Sequence, residues 1–456
     1  MIIKALNLNY RDKLQRLLSV MLPIIATQIA IMGMNFFDAS MSGQAGDVDL
    51  AGAAIGGNIW MPIQTGICGV LMAAMPLVAN LLGAGEKDKI TTVVRHGIFL
   101  ALAFAVLVLG CGVAFLPHFL QNMGLAPEVY HVALWYLAGL GLGVVPFFMI
   151  LPLRSLVDTL GYTHLTMRIY LLALPINGLL NYVLIFGKLG LPRLGGIGAG
   201  VASGLTFWLL LCIFAYVVTR LEPFKSYEVL GLVRPTYAWL KEYLRIGVPM
   251  GVSIFMETSI FGVVALFIAK FGTETIAAHQ AALNFSSLIY MMPLSFSLAL
   301  TIVVGVEYGA KNYQGARDYV TIGLQTSLGI AGFYMFAEYL LREQIALIYT
   351  ANPDVVELVK IFLLYAIGWQ LGDAVAAPIQ GILRGYKDVD ATFWASMLAY
   401  WGICLPLGLF LDYQVGHGAF AYWQSLDIGV ISSAILLSLR LIWLQRKIKR
   451  EEAVDN

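Results

Sequence analysis

Twelve predominantly apolar stretches run through the chain, each at least as long as the roughly 20 residues that an α-helix needs to cross bilayer hydrocarbon. They fall at 14–40, 52–82, 93–116, 130–156, 165–187, 196–219, 243–269, 276–308, 319–341, 355–382, 391–411 and 418–444. Backbone in lipid must satisfy its own N–H and C=O groups, so these stretches predict an all-α, twelve-helix integral membrane protein. The chain has 456 residues, which leaves about 38 for each helix and its connection. Composition agrees: 12% of the residues are charged and 59% are hydrophobic, whereas soluble domains carry about 25% charged residues. A water-soluble enzyme and a disordered protein are excluded on that ground. The net charge of +1 offers no field for nucleic acid. Cys68, Cys111, Cys212 and Cys404 each lie inside an apolar stretch without a CxxC spacing, and are expected to be packing residues. Lys4, Arg11, Lys13 and Arg16 precede the first apolar run without a small-residue cleavage site, so that run is expected to be a membrane helix.

With the amino terminus placed in the cytoplasm, Lys188, Arg193, Lys270, Arg342 and Lys360 fall on the far side, and the other 23 of the 28 Lys and Arg residues fall on the near side. Such asymmetry predicts cytoplasmic termini, as an even helix count requires. The most charged internal connection, 220–245, divides the chain into expected six-helix lobes at 1–228 and 229–456. At an offset of 226 residues, Pro23 aligns with Pro249, Asn58 with Asn284, Gly83-Ala84 with Gly309-Ala310, Gly97 with Gly323, and Pro127-Glu128 with Pro353-Asp354. One ungapped register points to an internal repeat. Two six-helix repeats enter the membrane in the same direction, so the lobes are expected to be related by a pseudo-twofold axis along the membrane normal. Secondary transporters are built this way.

A carboxylate at the bilayer centre costs roughly 2.5 to 3.5 kcal/mol on insertion scales, so each needs a partner, a proton or an ion. Asp38, Glu257 and Asp373 stand out as ion-coupling residues. Asp38 closes a stripe with Gln28 and Asn35 at helical spacing, and Asn177 and Asn181, four apart on a later helix, offer neutral partners. Glu257 is flanked at four-residue spacing by Ser253 and Phe261, and its repeat counterpart is Ile31. Asp373 has Trp369 four residues before it and Gln380 seven after. Two lone acids in one half suggest a pair that takes up Na+ or a proton and titrates as a unit. His279, Gln280 and Asn284 near the start of the eighth stretch, with Phe261, Tyr290 and Trp369, are further lining residues for a substrate cleft. Met32, Met34, Phe36, Phe37 and Phe255 add pliable or aromatic surface suited to apolar cations. Glu307 and Glu338 lie near the ends of their stretches and are expected to be solvated.

The segments LPIIATQIAIMGMNFFDASMSGQAG at 22–46, LGGIGAGVAS at 194–203, AAHQAALNFSS at 277–287, REQIALIYT at 342–350 and LRGYKD at 383–388 resemble the multidrug and toxic compound extrusion (MATE) transporters, in particular the NorM branch. The resemblance spans essentially the whole chain. It implies two six-helix lobes around a central cleft, and cation-driven export of varied, often cationic drugs. It also implies roles for Asp38, with Asn177 and Asn181 beside it, as the acid of the first lobe, and for Glu257 and Asp373 as acids associated with Na+ in the second. Trp369 stands where some Na+-coupled relatives resemble one another in having a tyrosine. Asn181 stands where archaeal relatives have an aspartate.

These features together lead us to expect a multi-pass plasma-membrane antiporter that is not an enzyme and works as a monomer without a cofactor. Its coupling ion is Na+ or H+, and its cargo is small-molecule drugs or toxic metabolites. The alternative is a lipid or oligosaccharide flippase of the same two-lobe plan. A flippase would favour a cleft lined by several Arg or Lys, and no basic residue lies well inside the predicted central helices. An intramembrane aspartyl protease is disfavoured because Gly368 and Gly372-Asp373 lack the GxGD spacing. Separated carboxylates also suit alternating occupancy better than the continuous ring of a channel.

Overall fold

The computed structural model describes residues 8–231 and 234–455 of the chain. Lys4, one of the amino-terminal basic residues, lies outside them. Twelve helices among the described residues are long and apolar enough to cross a membrane: α1 Tyr10–Ala45, α2 Asp47–Ala84, α3 Lys87–Asn122, α4 Pro127–Thr159, α5 Thr163–Phe186, α6 Gly196–Arg220, α7 Tyr237–Phe271, α8 Thr273–Gly309, α9 Tyr313–Tyr349, α10 Pro353–Gly385, α11 Val389–Val415 and α12 Ala419–Glu452. Each contains one of the predicted spans to within a residue or so. Most overshoot the prediction, because a helix continues into the polar interface after its apolar run has ended.

Local sequence explains the ends. Pro127 and Pro353 open α4 and α10 at the first helical turn, where the missing N–H has no partner to lose. Asn312 and Asn352 cap α9 and α10 by accepting from Gly315 N and Asp354 N at 3.1 and 3.0 Å. Asp49, in the first turn of α2, accepts from Gly196 N at 2.7 Å and places a negative group at the amino terminus of α6. Gly187 closes α5 in the left-handed conformation at φ 67°.

The chain forms two compact units. Among the described residues, the first comprises Leu22–Gly251; the second comprises 8–21 and 252–455. In the first unit, α4 and α6 meet along a seam of small residues. A Cβ on Gly143 would come within 2.6 Å of Gly204 Cα, and one on Gly200 within 2.2 Å of Tyr136 O. Such close approach lets dispersion hold helices together where lipid supplies no hydrophobic driving force. The opening turns of α7 belong here, tied by a 2.6 Å bond from Tyr243 Oη to Leu71 O. The connection after α6 is pinned to α3 by Arg95, which donates to Glu228 O at 2.6 Å.

In the second unit the tightest seam joins α8 and α10, where a Cβ on Gly381 would lie 2.1 Å from Ser297 O. The opening turns of α1 join this unit through Lys13 Nζ and Asp318, 2.5 Å apart, and through Tyr10 Oη donating to Gln325 Oε1 at 3.0 Å. Val106 and Val113 of α3, and Phe333 of α9, are more than two-thirds exposed. Apolar side chains of this kind facing outward are what lipid contact requires.

Candidate ion-coupling and substrate site

In the first unit the site is built on α1, α5 and α6. Asp38 is partly buried, and both of its oxygens are engaged. Oδ1 accepts from Asn181 Nδ2 at 2.7 Å and Oδ2 from Ser203 Oγ at 2.5 Å. Asn181 also donates to Asn177 Oδ1 at 3.1 Å, and Asn177 donates to Thr206 Oγ1 at 3.2 Å. Both N–H bonds of the Asn181 amide are therefore committed, which fixes its orientation, and its Oδ1 is buried without a partner. No charged side chain takes part in these bonds. The carboxylate rests on neutral donors alone, and helix packing sets them in place: Gly33 lies against Leu174, and Gly178 against Phe37.

Of the stripe expected on α1, Asp38 alone joins this network. Gln28 is half-buried and Asn35 exposed, and neither makes a side-chain hydrogen bond among the described residues. A hollow of about 600 Å3 in the same unit is lined by Phe36, Phe37, Ser40, Tyr182, Lys188 and Arg193, among others.

In the second unit the site is built on α7, α8, α10 and α11. Glu257 Oε1 accepts from Gln380 Nε2 and from Ser396 Oγ, each at 2.6 Å. Ser396 in turn lies 2.9 Å from Ser253 Oγ. Behind Gln380 stands Arg384, 4% exposed, donating to Gln380 Oε1 at 3.4 Å. Its charge acts on Glu257, while its Nε is buried without a partner. Asp373 is also buried, and the charge of Glu257 acts on it, but no direct hydrogen bond joins the two acids. Asp373 instead lines a narrow crevice, too tight as it stands for a water molecule, with Trp369, Gln370, Tyr290, Tyr334 and Ser286. Phe261 packs on Trp369 with ring centroids 4.8 Å apart.

The remaining expected cleft residues are dispersed. Asn284 is exposed and accepts from Tyr349 Oη at 3.1 Å; Gln280 is exposed without a side-chain hydrogen bond among the described residues. His279 is fully buried, accepts from Trp423 Nε1 at 3.1 Å and packs against Phe362, inside the apolar core. It lines neither the hollow nor the crevice.

One expectation needs correction. Glu307 and Glu338 are not solvated: they are 1% and 2% exposed. Glu307 accepts from Asn312 at 2.7 Å, whereas Glu338 lies about 16 Å inside the end of α9, which runs past the predicted boundary. Basic residues lie near helix ends. Arg384 is buried in the last turn of α10, and Arg154, close to the end of α4, pairs with the buried Asp158 at 3.2 Å, with Asp158 also accepting from Thr166 at 2.6 Å. Sequence reasoning also missed Asp427, whose carboxylate lies 3.0 Å from where a Cβ on Gly368 would be. Its position well inside the twelfth apolar stretch was the available signal.

This geometry, twelve membrane-length helices in two units that each bury carboxylates among polar side chains, defines a class: a polytopic membrane transporter of repeat architecture. Comparison with known proteins specifies it. The MatE family model matches residues 23–183 and again 249–410, beginning the two copies 226 residues apart, as the repeat register requires. The chain is 45% identical over 438 residues to a protein of Oceanobacillus iheyensis named "Probable multidrug resistance protein NorM", covering 96% of this chain and 98% of that one. It is 45% identical over 448 residues to a Bacillus subtilis protein of the same name, covering 98% and 99%. A solved multidrug resistance MATE family transporter superposes with a TM-score of 0.87 at 18% identity, covering 96% and 97% of the two chains. The chain belongs to the MATE family, in its NorM branch. It is a multi-pass membrane transporter and not an enzyme.

Proposed function

We propose that the protein is a multidrug efflux antiporter of the plasma membrane, with both termini cytoplasmic, that exports apolar, often cationic compounds in exchange for Na+ or H+ by alternating access. The names of its relatives support the cargo. The observation that carries the coupling is the presence, in each unit, of a partly buried carboxylate held by hydrogen-bond donors: Asp38 by Ser203 and Asn181, Glu257 by Gln380 and Ser396. An acid placed in this way within the membrane is costly, which marks each of the two as a candidate for a charge that is gained and lost during the cycle.

The two sites suit different ions. Around Glu257 the formal charges are two carboxylates and Arg384, which leaves one uncompensated negative charge and room for one monovalent cation. Na+ prefers oxygen ligands. The two carboxylates supply them, and Tyr290, on the same crevice as Asp373, offers the phenolic oxygen that Trp369 lacks. Asp38 suits a proton. Asn181 can only donate toward Oδ1, whereas the Ser203 hydroxyl can rotate and accept from a proton on Oδ2. Cation binding from outside weakens drug binding and releases the drug; the loaded protein turns inward, discharges the ion and takes another drug. The ion must bind the two states with different affinity to drive this exchange. The lobes 1–228 and 229–456 act as the moving bodies, and one chain suffices.

Efflux from proteoliposomes under a Na+ gradient and a pH gradient imposed separately tests this reading. Acceleration by the Na+ gradient is expected. Indifference to both gradients would overturn cation antiport. A response to pH alone would remove Na+ from the second-unit pair and leave Asp38 as the principal coupling residue. A flippase would instead move a lipid-linked reporter between leaflets, with no dependence on Asp38.

A further inference from the structure

Glu338 of α9 and Gln370 of α10 present four polar atoms that nothing satisfies. Glu338 is 2% exposed and Gln370 4%. Both carboxyl oxygens of Glu338 and both amide atoms of Gln370 are buried without a hydrogen-bond partner among the described residues. The two side chains face each other and interact, without the alignment of a hydrogen bond. Their helices are held in register nearby by Ser327 Oγ donating to Ala374 O at 2.8 Å. Orphaned groups of this kind cost roughly 1 to 3 kcal/mol each and call for a ligand.

Donor and acceptor inventory identifies that ligand. An ionised Glu338 can only accept, so it can use one N–H of Gln370 while the amide oxygen is left facing a carboxylate. A protonated Glu338 donates its O–H to Gln370 Oε1 and accepts from Gln370 Nε2, and one proton then satisfies all four atoms reciprocally. Na+ does not do so: it would take the three oxygens and strand the amide N–H bonds. The titratable groups around the pair are Tyr334 on the same helix, Asp373 on α10 and Tyr290 on α8, which line the crevice together with Gln370. None of them is a cation that would hold Glu338 ionised.

We infer that Glu338 and Gln370 form a proton-binding acid–amide pair, a coupling site in the second unit separate from the Glu257/Asp373 pair. This inference rests on the antiport reading above. The proton is taken up from water on one side of the membrane when the crevice opens to it, and is lost to water on the other side when the acid and amide are drawn apart. Gln370 is the positioning residue. The second unit then carries two cations of different kinds, with Na+ at the acids near Arg384 and H+ at Glu338.

The test uses full-length protein in proteoliposomes, with Na+ and pH gradients imposed separately on wild type, Glu338→Gln and Glu338→Asp. Glu338→Gln can still pair with Gln370, but it cannot release a proton. Efflux driven by the pH gradient should fall well below wild type, to the share that Asp38 alone supports, while efflux driven by Na+ persists; Glu338→Asp should recover part of the pH response. A Glu338→Gln protein that keeps its full pH-driven efflux overturns the inference, as does a wild type that answers to Na+ and ignores pH. A wild type that answers to neither gradient overturns the antiport reading, and this inference with it. Infrared spectroscopy of the purified protein gives a second readout independent of transport. A protonated-carboxyl band should be present in wild type, shift in heavy water and lose intensity in Glu338→Gln; an unchanged band in the variant contradicts the pairing.

Discussion

The two units descend from one repeat and bury their acids in opposite ways. Asp38 lies among neutral donors, with nothing charged in its hydrogen-bond network. Glu257 shares its surroundings with a second acid and a buried arginine. The repeat register explains how the difference arose. At the 226-residue offset, Arg384 corresponds to Asp158 and Gln380 to Arg154. In the first unit the arginine and the aspartate four residues later neutralise each other as an ion pair. In the second, glutamine replaces the arginine and arginine replaces the aspartate, so the buried positive charge has no partner on its own helix and turns to Glu257. Two residue differences thus separate a structural ion pair in the first unit from an arginine whose charge acts on Glu257 in the second. The lesson is that a repeat can conserve a backbone while reassigning which charges it must balance.

Changes that remove the acids should separate the units most sharply. Asp38→Asn keeps size and hydrogen bonding but cannot gain and lose charge. Cells carrying it at normal membrane levels should lose essentially all resistance to a substrate such as ethidium; full resistance would take Asp38 out of the coupling scheme. Glu257→Gln and Asp373→Asn should each abolish Na+-stimulated efflux. Their double mutant should be no worse than either alone, because the two act as one site. Additive losses would mean two independent sites.

Packing changes come next. Gly143→Val in the first unit and Gly381→Val in the second insert a side chain where the next helix already touches. Overpacking of this kind costs about 1 to 3 kcal/mol or more. Both variants should show a lowered thermal midpoint in detergent, and an unchanged midpoint would contradict the close seams. The smallest effects belong to the hydroxyls. Ser203→Ala and Ser396→Ala each remove one of two donors to a partly buried acid, a loss of about 1 to 3 kcal/mol for a bond to a charged group. Ser203→Ala should blunt the response to a pH gradient, and Ser396→Ala the response to Na+. The reverse pattern would undo the assignment of ions to units.

Much of this arrangement is legible in the sequence. Runs of some 20 apolar residues cannot be hidden, so all twelve spans were readable, and a lone Asp38, Glu257 or Asp373 within such a run announces itself. Glu338 was harder to recognise. The apolar run stops at 341, but the helix continues to Tyr349, so Glu338 read as terminal when it is interior. Ser203 and Ser396 carry no signal at all. Hydroxyls in membrane helices commonly satisfy themselves on the carbonyl four residues back, as Ser286, Ser295 and Thr301 do here, and only the fold shows which ones turn to an acid instead. His279 misled in the other direction: an imidazole in an apolar stretch invites a functional reading, and here it is a core residue bonded to Trp423.

The division of labour between the units can be measured without transport. Equilibrium binding of radioactive sodium to the purified protein, compared between Asp38→Asn and Glu257→Gln, addresses it directly. One Na+ per chain should bind to wild type and to Asp38→Asn, and none to Glu257→Gln. Sodium binding that survives Glu257→Gln and disappears in Asp38→Asn would place the ion in the first unit and contradict the account.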